Sequence, residues 1–204
     1  MVTTSIAITD DVAPQLYAVL HVPRPVVDGG PERGGGVAVV FRQSVVVRRH
    51  PLTNKCRPKT FELQLVRVGT SPLTHTVANI YQPQWMSSVA EFVDELTDII
   101  ALLSAECTDN IIVCGDLNCL GPAPEQVDVR HAAAFESLGL SQLVSAATRE
   151  DSLLDVLATS SPALLSGVDV DDAGQISDHR LVTARLVVHN PKPPVAVKWR
   201  RLRV

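Results

Sequence analysis

Polar and apolar positions along the chain change period near residue 88, and that change divides it into elements. Before it, short alternating runs predict strands. Gln15 to Val22 (QLYAVLHV) is rich in β-branched and aromatic residues, as are Val37 to Phe41, Ser44 to Arg49 and Thr74 to Tyr81. From Phe61 to Val68, Phe61, Leu63, Leu65 and Arg67 alternate with Glu62, Gln64, Val66 and Val68. The segment PRPVVDGGPERGGG between the first two runs holds too much Gly and Pro for regular structure. Its Gly34-Gly35-Gly36 precedes a strand instead of opening a helix, so it reads as a hairpin turn and not as a phosphate cradle.

After residue 88 the spacing becomes helical. Val89, Phe92, Leu96, Ile99, Ile100 and Leu103 recur on one face, and Ser88 with Glu91 forms a capping-box pattern. The pattern predicts a helix from Ser88 to Ala105, then a buried strand Asn110 to Cys114 and a polar turn Gly115 to Asn118. A second helix is expected over Val129 to Leu138. Strands are expected at Leu153 to Ala158 and Leu181 to Val188, with a turn at Asp169 to Gly174. Beyond His189, NPKPPVAVKWRRLRV reads as a basic, proline-containing tail or linker.

With 204 residues, 46% hydrophobic and 20% charged, the chain has material for one domain, residues 1–188, and is not a disordered polyelectrolyte. No apolar run nears the roughly 20 residues of a membrane span, and Met1 to Asp11 lacks a signal-peptide pattern, so no membrane partner is expected. Cys56, Cys107, Cys114 and Cys119 form neither a CxxC pair nor a secreted framework, which points to reduced thiols and an intracellular setting. The net charge of −4 conceals a division. Residues 91–178 hold 17 acidic residues against Arg130 and Arg149, a balance of −15, while the flanks balance to +11. An acidic centre with basic borders suits a cation site facing a polyanion, although two solvated faces give the same count. The basic borders include Arg42, Arg48, Arg49, Lys55, Arg57 and Lys59, and the C-terminal Lys198, Arg200, Arg201 and Arg203.

Three polar constellations adjoin strands. Asp116 and Asn118 lie two apart after NIIVC, so on an extended segment both face one side and can hold a water and a phosphate oxygen. Ser177-Asp178-His179 precedes the last strand, placing a carboxylate for a divalent ion beside an imidazole for acid–base work. Asp155 interrupts an apolar run and needs a partner, for which His179 is the candidate. Turn capping explains each of these equally well when it is taken alone. Tyr81 closes a strand ahead of Pro83. His21, His50, His75 and His131 lack metal-ligand spacing.

Taken in order, GGGVAVVF, FELQLV, NIYQP, IIVCGDLN, TREDSLLDVL and ISDHRLV resemble the endonuclease/exonuclease/phosphatase superfamily. The nearest resemblance is to the endonuclease domain of non-LTR retrotransposons, and it runs from about Thr3 to Val188. It implies an α/β fold, a DNase I-like two-sheet sandwich of mostly antiparallel strands flanked by helices. It also implies hydrolysis of DNA phosphodiesters with Mg²⁺ or Mn²⁺. By that resemblance Asp116 activates the attacking water and Asn118 holds the scissile phosphate. His179, oriented by Asp155, stabilises the pentacovalent phosphorus. Tyr81 contacts the phosphate, Asp178 sits at the metal, and Thr148 and Ser177 lie on the substrate side.

The resemblance has one departure. Relatives begin with a strand bearing an Asn and then a metal-ligating Glu, whereas this sequence starts just after that segment. It is therefore expected to lack the first strand and one metal ligand. Two readings follow: a DNA-nicking enzyme, or a non-catalytic remnant of the same fold that binds nucleic acid weakly. A phosphorylated lipid or inositol as substrate has no support in the motifs. A monomer acting on DNA in the nucleus is expected, within a parent polypeptide that also carries a reverse transcriptase.

Overall fold

The computed structural model describes residues 14–24, 35–123 and 125–189. Six strands form the main sheet: β3 (Val47–Arg49), β4 (Glu62–Thr70), β5 (Leu73–Tyr81), β6 (Asn110–Asp116), β7 (Ser141–Gln142) and β8 (Asp155–Thr159). Their spatial order is β3-β4-β5-β6-β8-β7. Every neighbouring pair is antiparallel except β5 and β6, which run parallel. A parallel pair needs a crossover connection, and helix α1 (Val89–Glu106) supplies it. The Ser88 hydroxyl accepts from the Glu91 N–H, and the Glu91 carboxylate accepts from the Ser88 N–H, so the expected capping box is present.

The two faces of the main sheet are covered differently. Cross-strand rows such as Leu63–Ile80 and Leu65–Ala78–Val113 join Phe92, Leu96, Ile100 and Leu103 of α1 in one buried cluster. Phe61 meets Phe92 edge to face at 5.1 Å. Helix α2 (Val129–Ser137), capped by Asp128, also contributes to this cluster through Phe135. The opposite face, reached by Glu62, Gln64, His75 and Asn79, meets a second layer of two hairpins. One hairpin is β1 (Tyr17–Val22) with β2 (Val37–Arg42), and the other is β9 (Leu165–Asp171) with β10 (Leu181–Leu186). Gln64 donates to the Leu20 carbonyl at 2.7 Å, and Asn79 to that of Ala38 at 3.2 Å. His75 Nε2 meets the Val187 carbonyl at 2.7 Å. The architecture is thus an α/β sandwich of mostly antiparallel strands with helices on one side.

Four details depart from expectation. β6 runs on through Gly115 to Asp116. The stretch expected as a turn at Asp169 to Gly174 is strand as far as Asp171, because Val168 and Val170 turn inward while Asp169 and Asp171 remain exposed on the outer face. Of Ser44 to Arg49 only Val47–Arg49 is strand, and it belongs to the main sheet, not beside β2. The short β7 was not anticipated. Gly34 and the tail after His189 lie outside the described residues. All four cysteines are free thiols, as expected. Among the described residues no helix is long and apolar enough to cross a membrane.

Candidate active site

One register row at the edge of the main sheet collects the acidic groups. Glu62 on β4 lies opposite Tyr81 on β5, Tyr81 opposite Asp116 on β6, and Asp116 opposite Asp155 on β8. Side chains in one row share a face, so four chemistry-bearing residues from four strands project toward the second layer. Gly115 makes this row possible. A Cβ there would lie 1.9 Å from the Ile80 carbonyl oxygen, and its φ of 126° is one that side-chain-bearing residues rarely adopt. The glycine of GDLN therefore lets β6 press against β5 just before the aspartate.

The loop ahead of β10 delivers the imidazole. His179 Nδ1 is 2.7 Å from Asp155 Oδ2, and its Nε2 is 4.0 Å from Asp116 Oδ2. A carboxylate can only accept here, so Nδ1 carries the proton toward Asp155 and Nε2 is left facing Asp116. Asp116, Asp155 and His179 each offer a ligand atom within 4.8 Å of the others, a spacing that one metal ion can bridge. Burial, reinforced by the Asp155 charge, pushes the Asp116 carboxyl up to about 6, against a partial offset from the Asn118 N–H. This surplus of negative charge in a half-buried site is what a hard cation relieves. One carboxylate plus waters is also a usual way to hold Mg²⁺. The residues fit such an ion.

Neighbouring loops hold these groups in place. Thr148, fully buried, accepts from both the Leu154 and Asp155 N–H groups at 3.0 Å, so it fixes the start of β8. Its carbonyl accepts from the Arg180 N–H, and the Arg180 guanidinium donates to the Ala147 carbonyl at 2.7 Å. The 147–152 loop and the 177–180 loop are thereby tied together. Ser177 accepts from the His179 N–H at 3.0 Å and shapes that turn. Asp178 is exposed, lies outside the three-residue cluster and pairs with Arg149 at 2.7 Å.

Asn118 corrects one expectation. It does not continue an extended segment: its φ is 52°, and its N–H donates to Asp116 Oδ1 at 2.8 Å. The two side chains are neighbours through a tight turn, not through strand alternation. Gln84 Nε2 donates to the Asn118 carbonyl and to its Oδ1, both at 3.3 Å. The sequence reading missed Gln84, Arg149 and Arg180. Arg149 had left a trace, since it is one of only two cations in residues 91–178.

A groove of about 440 Å³ lies at the opposite end of the sheet, between Arg48, Arg67, Thr70, Thr74 and Asp109. Its carboxylate is already saturated. Arg67 holds Asp109 in two bonds of 2.6 and 2.8 Å, and the Thr74 and Thr76 hydroxyls donate to it as well. A carboxylate with all its acceptors filled has little left to offer a ligand, which leaves the 116–155–179 end as the candidate site.

No family model matches this sequence, and no curated protein sequence matches it. Solved structures do. The endonuclease domain of TRAS1, a telomere-specific non-LTR retrotransposon, superposes with a TM-score of 0.63 at 18% identity over 83% of this chain and 79% of that one. An endonuclease/exonuclease/phosphatase family protein from Leptotrichia buccalis gives 0.56 at 14% identity, over 84% of this chain and 71% of that one. The Bacteroides thetaiotaomicron mannosyl-6-phosphatase Bt3783 gives 0.56 at 15% identity, over 85% and 78%. At such identities the likeness speaks for architecture alone, and on that architecture this chain has the DNase I-like fold of the endonuclease/exonuclease/phosphatase proteins.

Proposed function

We propose that this chain hydrolyses phosphodiester bonds in DNA, making single-strand nicks, with Mg²⁺ or Mn²⁺ as cofactor. The observation that carries the reading is the Asp155–His179–Asp116 line, with its 2.7 and 4.0 Å separations. In this mechanism Asp116, ionised above about pH 6, takes a proton from the attacking water. The new P–O bond forms in line as the bond to the leaving sugar oxygen breaks. His179, through Nε2, meets the charge building on the phosphoryl oxygens, while Asp155 fixes its tautomer and stabilises the imidazolium. Asn118 Oδ1 is turned toward Gln84, which leaves its amide N–H₂ to hold the phosphate. Tyr81, opposite Asp116, contacts the phosphate, while buried Thr148 and the Ser177 hydroxyl act from behind by fixing Asp155 and His179. Asp116, with Asp178 beside it, would hold a divalent ion, which would supply charge neutralisation at phosphorus.

The likeness to the endonuclease domain of TRAS1, a telomere-specific non-LTR retrotransposon, supports a nucleic-acid substrate; a monomeric domain acting in the nucleus, within a parent polypeptide that includes a reverse transcriptase, completes the proposed reading. Nicking of supercoiled plasmid in Mg²⁺, lost in Asp116→Ala and His179→Ala proteins that remain folded, is the expected result. A folded wild-type chain that leaves the plasmid intact would overturn the enzymatic reading. One observation favours a second reading, a non-catalytic nucleic-acid-binding fold: Arg149 already neutralises Asp178, a carboxylate the metal needs. That reading expects salt-sensitive DNA binding without turnover.

A further inference from the structure

Three exposed apolar side chains close in sequence to site residues play no part in the hydrolytic chemistry. Trp85 is 47% exposed, Leu120 67% and Ile176 94%. Trp85 is the one aromatic ring among the exposed large apolar side chains of the described residues. Each is tied by the chain to a site residue. Leu120 follows Asn118 by two positions, and Ile176 adjoins Ser177. Trp85 adjoins Gln84, whose amide holds Asn118.

The tryptophan is held in place. Gln82, buried, donates its N–H to the Asp116 carbonyl at 3.0 Å, and the Met86 N–H closes a turn onto the Pro83 carbonyl at 2.9 Å. The loop carrying Trp85 is therefore fastened at both ends, one of them to the backbone of the catalytic aspartate. The Arg24 guanidinium lies 5.6 Å from the ring centroid and is itself paired with Glu62. With its charge already matched, Arg24 supports the ring without attracting a phosphate. What the ring presents is an uncharged, half-exposed aromatic surface on a loop whose Gln82 and Gln84 bond to Asp116 and Asn118. A phosphate beside an aromatic platform is the chemistry of a nucleotide.

We infer that Trp85 is a stacking platform for the nucleobase adjoining the scissile phosphate. The inference rests on the proposed nucleic-acid substrate and makes that substrate more specific. A base can lie on the ring only after leaving its own stack, so the site favours single-stranded or locally opened DNA over intact duplex.

The test uses the full chain with its other tryptophan changed, Trp199→Phe, in EDTA so that no cleavage occurs. A short oligo-dT and an oligonucleotide of equal length built from abasic residues carry the same phosphates but differ in bases. Oligo-dT is expected to quench Trp85 emission and the abasic strand to leave it unchanged. Trp85→Ala should weaken oligo-dT binding roughly 5- to 100-fold and leave abasic binding as it was, with Trp85→Phe retaining most of the affinity. Equal losses for both strands, or no loss for either, would overturn the platform, as would failure of the parent chain to bind either strand. A chain that shows base-dependent quenching but no plasmid nicking would disprove hydrolysis and retain the platform. One that nicks normally yet binds oligo-dT no better than its Trp85→Ala form would disprove the platform alone.

Discussion

Strand β6 has an aspartate at each end, and the two live in opposite circumstances. Asp109, just before the strand, takes two bonds from Arg67 and further ones from Thr74 and Thr76, and these donors hold its carboxyl below the usual range despite its burial. Asp116, at the other end, takes one backbone N–H, stands beside the Asp155 carboxylate and is pushed up to about 6. The same residue type is a structural clamp where donors surround it and a carboxyl of raised pKa where they are few. The Asp109 end borders a groove of about 440 Å³, yet its carboxylate is already fully engaged.

Substituting each aspartate sharpens the contrast. The largest effect is expected from Asp116→Asn, which should lower nicking by about 10³-fold in a plasmid assay. The same change should stabilise the fold in EDTA by up to about 3 kcal/mol at neutral pH, since a raised carboxyl pKa penalises the ionised native state. The sign follows from the folded value lying above the unfolded one. The penalty is absent below about pH 4, grows between there and about 6, and is constant above. Melting temperatures of the two proteins should therefore coincide in acid and diverge across that window. A variant that is less stable than the original at pH 7 would contradict this account.

Asp109→Asn should go the other way, losing about 1–2 kcal/mol in urea unfolding, because Arg67 can reach water once its partner is gone. Its contribution belongs to a lowered carboxyl, so it is present at neutral pH and fades as the solution is acidified through the folded value below 3.8. Nicking should remain near that of the parent, since Asp109 lies at the far end of the strand. The smallest effect is expected from Arg149→Gln: its pair with Asp178 is solvent-exposed, so stability should change by well under 1 kcal/mol. Freeing Asp178 should lower the Mg²⁺ concentration needed for half-maximal nicking. An unchanged requirement would remove Arg149 as a competitor for the metal.

Much of the fold is legible in the chain. The α1 periodicity and its Ser88–Glu91 cap are local signals, and α1 forms as read. GVDVDD at residues 167–172 was harder, because Asp marks turns in most contexts. Only pairing with β10 shows that those carboxylates line the wet face of a strand. At the site, the Asp155–His179 partnership followed from a buried carboxylate needing a donor, and the structure places the two 2.7 Å apart. The Asp116–Asn118 geometry was misread, since nothing local distinguishes strand alternation from an Asx turn that begins one residue later.

The sequence by itself determined which residues could do chemistry and which segments would be strand or helix, because cap patterns, periodicity and residue type act over a few neighbours. Tertiary structure decided which of those residues share a site. The register of β4, β5, β6 and β8 is set by long-range pairing, and it alone places Glu62, Tyr81, Asp116 and Asp155 in one row. Burial, too, arises only when the layers close. It makes Asp116 a half-buried carboxyl raised to about 6 while Asp109, just ahead of the same strand, is held low by an arginine 42 residues away in the chain.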